Sequence, residues 1–364
     1  MKGDQIPLVI VGTGHGCRVH LPAAIAAGFH VAAVVGSNPE RTRRRADKTG
    51  VAGAYTNLTQ AIEETGARAI AIASPPHTHG QAVLTAAALG CHVLCEKPFA
   101  RDAEQAREML SAVERAGLVN LVGNQMRAMP ERIVASRALA DGAIGTPRLL
   151  TMIQHASLMH AGLKWPDWWL DKQAGGGWLG ASGSHMIDQV HSWLGPFASL
   201  SASLPLVSTR ESEERGDGLI TTPAEDSFAL RFELKNGVEG IMQQTGATFG
   251  PTASMTRVVG TAGTLWLEEG NAWIADARGT RALPIPDDLR LTEMAPSDDP
   301  RKQFLHVELP PAIRLFTAFR QGIEGTPPEP GAFATFADGV AAMEVIDAVR
   351  LSAQRQGQRV EVGP

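Results

Sequence analysis

The stretch that decides the fold is an apolar run followed by a glycine-rich loop, LVIVGTGHGCR, from Leu8 to Arg18. The run is short and β-branched, as in a buried strand, and glycines let the backbone turn tightly and approach a ligand. Such a loop between a first strand and a first helix is typical of a dinucleotide site, where free amides at the helix start bind the pyrophosphate. The third glycine of the usual motif is replaced by Cys17, which is small enough for close packing of helix on strand. The predicted cofactor contacts in this loop are Gly12, Thr13, Gly14, His15, Gly16 and Cys17.

Outward from this stretch, short apolar runs alternate with helix-like segments as far as residue 122. The later runs are Val31 to Val35, Ala69 to Ala73, His92 to Cys95 and Leu118 to Val122. Such alternation predicts a parallel, doubly wound sheet with helices on both faces. We therefore predict an α/β fold whose first domain spans residues 1–123.

A different pattern follows Pro130. Apolar residues from Phe228 to Leu234 alternate with polar ones, and Gly237 separates this run from a second strand-like run, which predicts an antiparallel hairpin with one open face. The segments Thr256 to Gly260 and Thr264 to Glu268 predict a second hairpin. We expect an α+β domain with a mostly antiparallel sheet in residues 124–364.

Composition and charge exclude several classes of protein. The 364 residues are 44% hydrophobic and 20% charged, and no apolar run approaches the roughly 20 residues of a membrane-spanning helix. Met1 to Pro7 lacks the features of a secretory signal, so we expect a cytoplasmic protein. The net charge of -5 gives no basis for nucleic-acid binding. Three cysteines provide no disulfide framework, and we expect no metal at His77 and His79.

The end of the second strand bears on the choice of cofactor. An NAD site usually has a carboxylate there for the ribose hydroxyl, but this chain has Ser37, Asn38 and Arg41, which suit a 2'-phosphate. We therefore prefer NADP(H), with NAD(H) as the alternative. The basic run that follows, from Arg43 to Lys48, is also explained by a solvated helix face.

The fifth strand ends in Glu96-Lys97-Pro98, at the sheet edge where open α/β folds bind their ligands. Lys97 there could polarise or protonate a substrate oxygen, and Glu96 and Pro98 would fix the backbone around it. A cis bond before the proline is compatible with such a turn. The alternative is a surface lysine at a strand end.

At these residues the sequence resembles the Gfo/Idh/MocA family, named after glucose-fructose oxidoreductase and inositol dehydrogenase. The resemblance rests on Gly12-Thr13-Gly14, on Ser74 to His79 after the fourth strand, on Glu96-Lys97-Pro98, and on Gly175-Gly176-Gly177 leading to His185. It implies a Rossmann domain followed by a domain with a large open sheet, often used for oligomer contacts. A homodimer or homotetramer is therefore expected.

The resemblance also implies roles for individual residues. Lys97 matches the catalytic lysine of the family, and His185 matches the histidine that takes the hydroxyl proton while hydride passes to nicotinamide. Imidazole suits this task because its pKa lies near neutrality. The further cofactor contacts implied are Ser74, Pro75, His79, Glu96 and Gln125, and Arg127 matches an arginine placed as a substrate contact.

One position departs from the family pattern. Members that oxidise polyols carry an aspartate four residues before the histidine, and this chain has Ala181 there. We therefore assign Asp188, three residues after His185, to the catalytic group as the carboxylate that orients the imidazole. The only tyrosine of the chain is Tyr55, in the first domain, so no tyrosine can replace the missing aspartate.

Tryptophans cluster before and within the glycine-rich segment. Aromatic faces stack on sugar rings or nicotinamide and exclude water from a hydride-transfer site. We assign Trp169 to the cofactor, and Trp165, Trp168, Trp178 and His155 to the substrate, with core packing as the alternative for the tryptophans.

Together these observations predict an NADP(H)-preferring oxidoreductase that interconverts a secondary alcohol and a ketone on a sugar or cyclic polyol. One alternative is a glycosidase or lyase of the same family, in which transient oxidation assists elimination and the nicotinamide is regenerated. The other is a cofactor-binding regulator without catalysis, which the alanine at position 181 favours.

Overall fold

A computed structural model describes residues 5–160, 167–208, 224–297, 299, 302, 304–329 and 331–363. The chain divides into two compact units. The first comprises residues 1–129 and 291–340, and the second comprises residues 130–290 and 341–364. The described part of the chain contains no bilayer-spanning helix, because each helix there is too short or too polar.

The first unit is built on a six-stranded parallel sheet with the order β3-β2-β1-β4-β5-β6. Its strands are β1 (Pro7–Val11), β2 (His30–Val35), β3 (Gly53–Tyr55), β4 (Ala69–Ile72), β5 (His92–Cys95) and β6 (Asn120–Val122). The helices between them are α1 (Leu21–Ala26), α2 (Pro39–Thr49), α3 (Leu58–Thr65), α4 (His79–Ala88) and α5 (Ala103–Arg115). A π-helical turn, Gly16–His20, precedes α1. This order confirms the predicted doubly wound Rossmann sheet.

The second unit carries a nine-stranded sheet, β14-β13-β12-β11-β7-β10-β9-β8-β15, in which only β7 and β10 pair in parallel. Its helices are α6 (Pro130–Ala140), α7 (Asp167–Leu170) and α8 (Ser184–Leu194). Its strands are β7 (Pro147–His155), β8 (Phe197–Ser203), β9 (Ser227–Leu234), β10 (Glu239–Thr245), β11 (Ala253–Gly260), β12 (Gly263–Glu268), β13 (Asn271–Asp276), β14 (Gly279–Ala282) and β15 (Val360–Glu361). The two predicted hairpins are β9-β10 and β11-β12, and the mostly antiparallel sheet is confirmed.

The core of the first unit includes a helix from late in the chain. This helix, α9 (Leu305–Ile323), buries Phe316 and Phe319 among residues of β1, β2 and α1. Phe29 stacks on Phe319 with ring centroids 5.8 Å apart and meets Phe316 edge-on at 6.2 Å. The last helix, α10 (Phe336–Gln354), begins in the first unit and ends in the second. The observed units therefore differ from a single boundary after residue 123, because residues 291–340 return to the first core.

Candidate active site

Each glycine of the first loop meets different surroundings. Gly12 has φ +110° and lies against the Ala73 carbonyl, so a side chain there would collide with backbone. A Cβ on Gly16 would lie 2.8 Å from Ile10 Cγ2, so the close packing that the motif assigned to Cys17 falls to Gly16. A Cβ on Gly14 would meet no atom of the described residues within 4 Å. The loop therefore packs tightly on its inner side and is open at Gly14, as a pyrophosphate site requires.

The predicted residues of the first unit that follow strands lie along one edge of the sheet. Parallel strands end at the same edge, and β1, β4, β5 and β6 are neighbours in that order. Each of these four strands is followed by one predicted residue: Gly12 after β1, Ser74 after β4, Lys97 after β5 and Gln125 after β6. Lys97 is half-buried, and its bond to Pro98 is cis. The structure thus brings the glycine loop and Lys97 to one edge.

Glu96 is buried beneath this edge and its carboxylate has several donors. His20 Nε2 lies 2.8 Å from Oε1, His15 Nε2 lies 3.7 Å from the same atom, and the Lys97 amide donates to Oε2 at 3.2 Å. Gly123 provides the space, since a Cβ there would lie 2.6 Å from the carboxylate. Glu96 therefore holds the turn that carries Lys97.

The charge states of this pair follow from its surroundings. Burial alone would raise the pKa of Glu96, but the hydrogen bonds and charge of His15 and His20 bring it well below its ordinary value. Burial lowers the pKa of His20, against the opposing effect of Glu96. Near pH 7 these two pKa shifts leave Glu96 as a carboxylate and His20 as a neutral imidazole, and the carboxylate accepts a hydrogen bond from the imidazole. The ligand atoms of His15, His20 and Glu96 also lie within 4.8 Å of one another, which is close enough to hold a metal ion.

His79 is fully buried and joins two turns of the same edge. Its Nε2 lies 2.8 Å from the Ser74 carbonyl and its Nδ1 lies 3.2 Å from the Phe99 carbonyl. Burial lowers the pKa of His79, so it stays neutral near pH 7. The Ser74 hydroxyl shares a 2.6 Å hydrogen bond with Thr78, while Pro75 accepts from Thr78. His79 therefore fixes the backbone of the Ser74-Pro75 turn, and a direct cofactor contact from its ring stays a prediction.

The residues predicted to read the cofactor ribose lie at the start of α2. Asn38 caps this helix by accepting from the Arg41 amide at 2.8 Å, and the Arg41 guanidinium lies 3.3 Å from the Ser37 hydroxyl. All three are exposed. The first carboxylate after β2 is Glu40, inside the first turn of the helix. The hydroxyl and guanidinium thus lie together, as a phosphate contact needs.

Gln125 and Arg127 lie in a short 3-10 turn after β6, and both are buried. Gln125 Oε1 has no hydrogen-bond partner among the described residues. The Arg127 guanidinium donates to Asp338 at 2.9 Å and to the Gly331 carbonyl at 3.2 Å. Burial would raise the pKa of Asp338, but Arg127 and Thr335 bring it below its ordinary value. Arg127 therefore fastens the returning segment, and its assignment to substrate stays a prediction.

In the second unit, His185 lies near the start of α8 and is half-buried, while Asp188 is buried one turn later. A π-helical stretch, Leu179–Gly183, leads into α8 and contains the buried Ala181. Gly177, with φ +111°, lies against the Glu225 carboxylate and leaves no room for a Cβ. Glu225 accepts from the Leu179 amide at 3.2 Å, and burial raises the pKa of this carboxyl. The glycines thus allow a carboxylate to approach the beginning of the helix.

Three of the four tryptophans form one cluster. Trp169 lies between Trp168 and Trp178, with ring centroids 5.6 Å and 6.0 Å away. Trp178 is buried and the other two are half-buried, so core packing accounts for Trp178, and the cofactor and substrate roles of the three tryptophans stay predictions. Trp165 lies outside the described residues.

His155 ends β7, and its side chain alternates with Gln154 to the opposite face of the sheet. The face of Gln154 is the one that α8 covers, because Gly183 lies against Phe228 on that side. His155 therefore points away from the His185 helix within this unit. Its assignment to the substrate rested on proximity in sequence, whereas the alternation of side chains along β7 places it on the face opposite to Gln154.

The sequence analysis missed two sets of buried polar residues. His20, on the turn before α1, supports Glu96. On the sheet, the inward positions of β10 are Gly240, Met242 and Gln244, and Gln244 is only 2% exposed. A polar residue at an inward position of an alternating strand was a readable signal for the second set.

Comparison with known proteins gives two family matches. Residues 6–124 match the model described as "Oxidoreductase family, NAD-binding Rossmann fold". Residues 134–266 match the model described as "GFO/IDH/MocA C-terminal domain". The two matches cover most of the chain, in the order that the sequence analysis predicted.

Individual relatives are distant. An uncharacterised oxidoreductase of Synechocystis sp. is 26% identical over 331 residues, which cover 88% of each chain. Levoglucosan dehydrogenase of Pseudarthrobacter phenanthrenivorans is 29% identical over 179 residues, 46% of this chain and 43% of that protein. A solved structure of levoglucosan dehydrogenase with NADH and levoglucosan has a TM-score of 0.83 at 22% identity, covering 99% of this chain and 100% of that one. At such identity the structural match establishes the fold.

Proposed function

The chain belongs to the Gfo/Idh/MocA family of oxidoreductases, and from that premise we propose that it interconverts a secondary alcohol and a ketone on a sugar or cyclic polyol. The observation that carries the proposal is the edge of the first sheet, where an open glycine loop follows β1 and Lys97 follows β5, with only β4 between these two strands. Levoglucosan dehydrogenase, a sugar dehydrogenase, supports the substrate class by its similarity.

The residues of this chain divide the work of proton transfer. A bound nicotinamide supplies or accepts the hydride. We assign Lys97 Nζ to hydrogen-bond the reacting oxygen and stabilise its developing charge, and His185 to take or return the hydroxyl proton. Glu96 keeps the Lys97 turn in place, and Asp188 orients His185.

The first loop fits a dinucleotide. Ala73 and Ile10 pack against Gly12 and Gly16, while the described residues place no atom within 4 Å of a Cβ on Gly14. A diphosphate placed there would meet backbone amides at the start of the helical segment. The residues present therefore suit the cofactor that the family model names.

We further propose that NADP(H) is preferred, because Ser37 and Arg41 lie together after β2 and no carboxylate stands between β2 and the start of α2. An Arg41→Ala variant should bind NADP(H) at least about tenfold more weakly, since a hydrogen bond to a charged group contributes on the order of 1.5 to 3 kcal/mol. Binding of NAD(H) should stay within about twofold. Fluorescence titration with both reduced cofactors measures this, and equal weakening of both would contradict the assignment. Arg44→Ala, on the same helix, is the control.

The catalytic proposal is tested with a panel of levoglucosan, hexoses, methyl glycosides and inositols, followed by absorbance of the reduced nicotinamide. Lys97→Ala should lower kcat/KM by roughly 10²- to 10⁴-fold, the usual contribution of a positioned acid-base group, with cofactor affinity retained. Lys235→Ala, an exposed lysine in the β9-β10 turn, should leave kcat/KM unchanged. Full activity of Lys97→Ala on a turned-over substrate would overturn the assignment.

The same panel separates the alternatives. A redox-cycling glycosidase or lyase would consume a glycoside without net change in nicotinamide absorbance. A regulator would bind cofactor and turn over none of the sugars, and Ala181 is the residue that favours this second candidate. We also propose a cytoplasmic homodimer or homotetramer, for which light scattering coupled to gel filtration and cell fractionation are the tests.

A further inference from the structure

Three polar side chains meet where the sheet of the second unit lies under the start of the His185 helix. Gln244 on β10 and Gln154 on β7 are direct register partners on neighbouring parallel strands. Ser182 lies in the π-helical stretch one turn before His185. The Gln244 amide nitrogen donates to Ser182 Oγ at 2.7 Å and also to Gln154 Oε1. We call these three residues the amide trio.

The direction of these bonds leaves defined groups for a ligand. Both N–H groups of Gln244 are used as donors, so its Oε1 is the group left over, and this buried atom has no hydrogen-bond partner among the described residues. Ser182 accepts, which leaves its O–H to donate. Gln154 accepts through Oε1, which leaves its own NH₂ to donate. The trio therefore offers one acceptor and two donors.

The His185 helix carries another buried side-chain amide whose polar atoms have no hydrogen-bond partner in the part of the chain that the structure describes. Gln189 lies one turn after His185 on the same face of α8 and is 3% exposed. Neither its Oε1 nor its Nε2 has a partner among the described residues. Buried polar atoms are satisfied in the great majority of cases, so the unmet atoms of Gln244 under α8 and of Gln189 on α8 indicate a place for a polar ligand.

We propose that the amide trio is a hydroxyl-binding subsite that determines substrate specificity, an inference that rests on the proposed function. Hydroxyl groups both donate and accept, so neighbouring ring hydroxyls can satisfy the Gln244 oxygen and the donors of Ser182 and Gln154 together. All three side chains are neutral, and a carboxylate would face the Gln244 oxygen. The subsite therefore selects a neutral polyhydroxylated ring over a sugar acid.

The test replaces Gln244 by Met, which keeps the length of the side chain and removes the amide. Gln243→Met is the matched control, since Gln243 is exposed on the other face of the same strand. The probe is the panel sugar with the highest kcat/KM, together with its single-deoxy analogues. For Gln244→Met we expect kcat/KM on the full sugar to fall at least tenfold, mostly through KM, and the preference over one deoxy analogue to collapse. The control should change neither.

The Tm of Gln244→Met distinguishes a subsite from a merely structural role, because a structural role predicts a lower Tm. Gln244→Met loses two hydrogen bonds but also removes a buried acceptor that has no partner among the described residues, so we expect these effects to offset and the Tm to stay within about 2 °C of the parent protein. An unchanged KM, or a loss equal to that of Gln243→Met, would overturn the proposal. So would a Tm lower by more than about 5 °C, since the trio would then be part of the scaffold.

Failure of the proposed function is distinguishable. If no panel sugar is turned over with either cofactor, the dehydrogenase assignment falls. Calorimetric titration of the cofactor-bound protein with levoglucosan and myo-inositol, together with the Tm, then tests the subsite. Binding of either probe that Gln244→Met weakens at least tenfold supports the subsite, and absence of binding to both overturns it.

Discussion

The Glu96 carboxylate at the sheet edge of the first unit and the glutamines on and under α8 in the second unit are buried to a similar degree, yet their polar atoms are satisfied differently. Glu96 receives bonds from His20 and the Lys97 amide, and Gly123 makes room for its carboxylate. Gln244 and Gln189 keep buried amide atoms without partners among the described residues. The Glu96 carboxylate has its partners within the protein, whereas the two glutamines lack, within the described part of the chain, partners that a ligand can supply.

The difference distinguishes residues that stabilise the fold from residues that bind a ligand. A buried charge costs several kcal/mol unless it is paired and hydrogen-bonded, so a complete network such as that of Glu96 stabilises a fixed geometry. Unmet buried groups cost stability, and sites that bind ligands commonly carry that cost. Substitutions in the two regions should therefore change stability in opposite directions.

The largest expected effect is that of Glu96→Ala, which removes the acceptor of His20 and of the Lys97 amide. Loss of a buried, charge-assisted network should lower the free energy of unfolding by about 2 to 4 kcal/mol. Urea denaturation measures it, with the exposed Glu63→Ala as a control that should show no change. A loss below about 0.5 kcal/mol would mean that the network is not a scaffold.

The second prediction compares two buried carboxyl groups by their pH dependence. The pKa of Glu96 is well below its ordinary value of 4.5, so its contribution to stability is present above that pH and is lost as the pH falls through the native pKa. Burial raises the pKa of Glu225, so its contribution is present at low pH and is lost as the pH rises through the native pKa. Glu96→Gln should therefore destabilise most at neutral pH, whereas Glu225→Gln should gain stability relative to the parent as the pH rises from 4 to 8.

Thermal denaturation of both variants across this pH range measures the contrast. Glu225→Gln is a mild change because the amide oxygen can still accept from the Leu179 amide. Parallel pH profiles for the two variants would contradict the opposite signs.

The smallest expected effect is that of Gln189→Leu. Replacing a buried amide that has no partner by an apolar side chain of similar size should raise stability by about 1 kcal/mol. Differential scanning calorimetry measures the change, and Gln358→Leu, on the exposed surface, is the control. A clear loss of stability would show that Gln189 is satisfied within the protein and would weaken the contrast between the two regions.

Local patterns predicted the parts of the molecule that depend on neighbouring residues. Alternating apolar runs predicted the parallel sheet, and the glycine-rich segment after the first run predicted the loop between β1 and the first helical turn. The position of Lys97 after β5 followed from the same reading. These features are set within about twenty residues of chain, where propensity and periodicity act.

Contacts between residues far apart in the sequence could not be predicted from such local patterns. No local signal ties Phe316 and Phe319 to Phe29, almost the whole chain away, so the return of residues 291–340 to the first unit was not predicted. The amide trio likewise depends on which strands become neighbours, since Gln154 and Gln244 meet only because β7 pairs with β10. The roles of Arg127, from family resemblance, and of His155, from proximity in sequence, were assigned without knowledge of the contacts that these side chains make.

The late arrival of α9 has a consequence for the order of folding during synthesis. The six-stranded sheet leaves the ribosome long before Leu315, Phe316 and Phe319, which complete its core. Until then Phe29 and its neighbours present an apolar surface, open to chaperones or to premature association. A nascent chain halted before residue 305 should thus be a good chaperone client, and release of the last sixty residues should end that dependence.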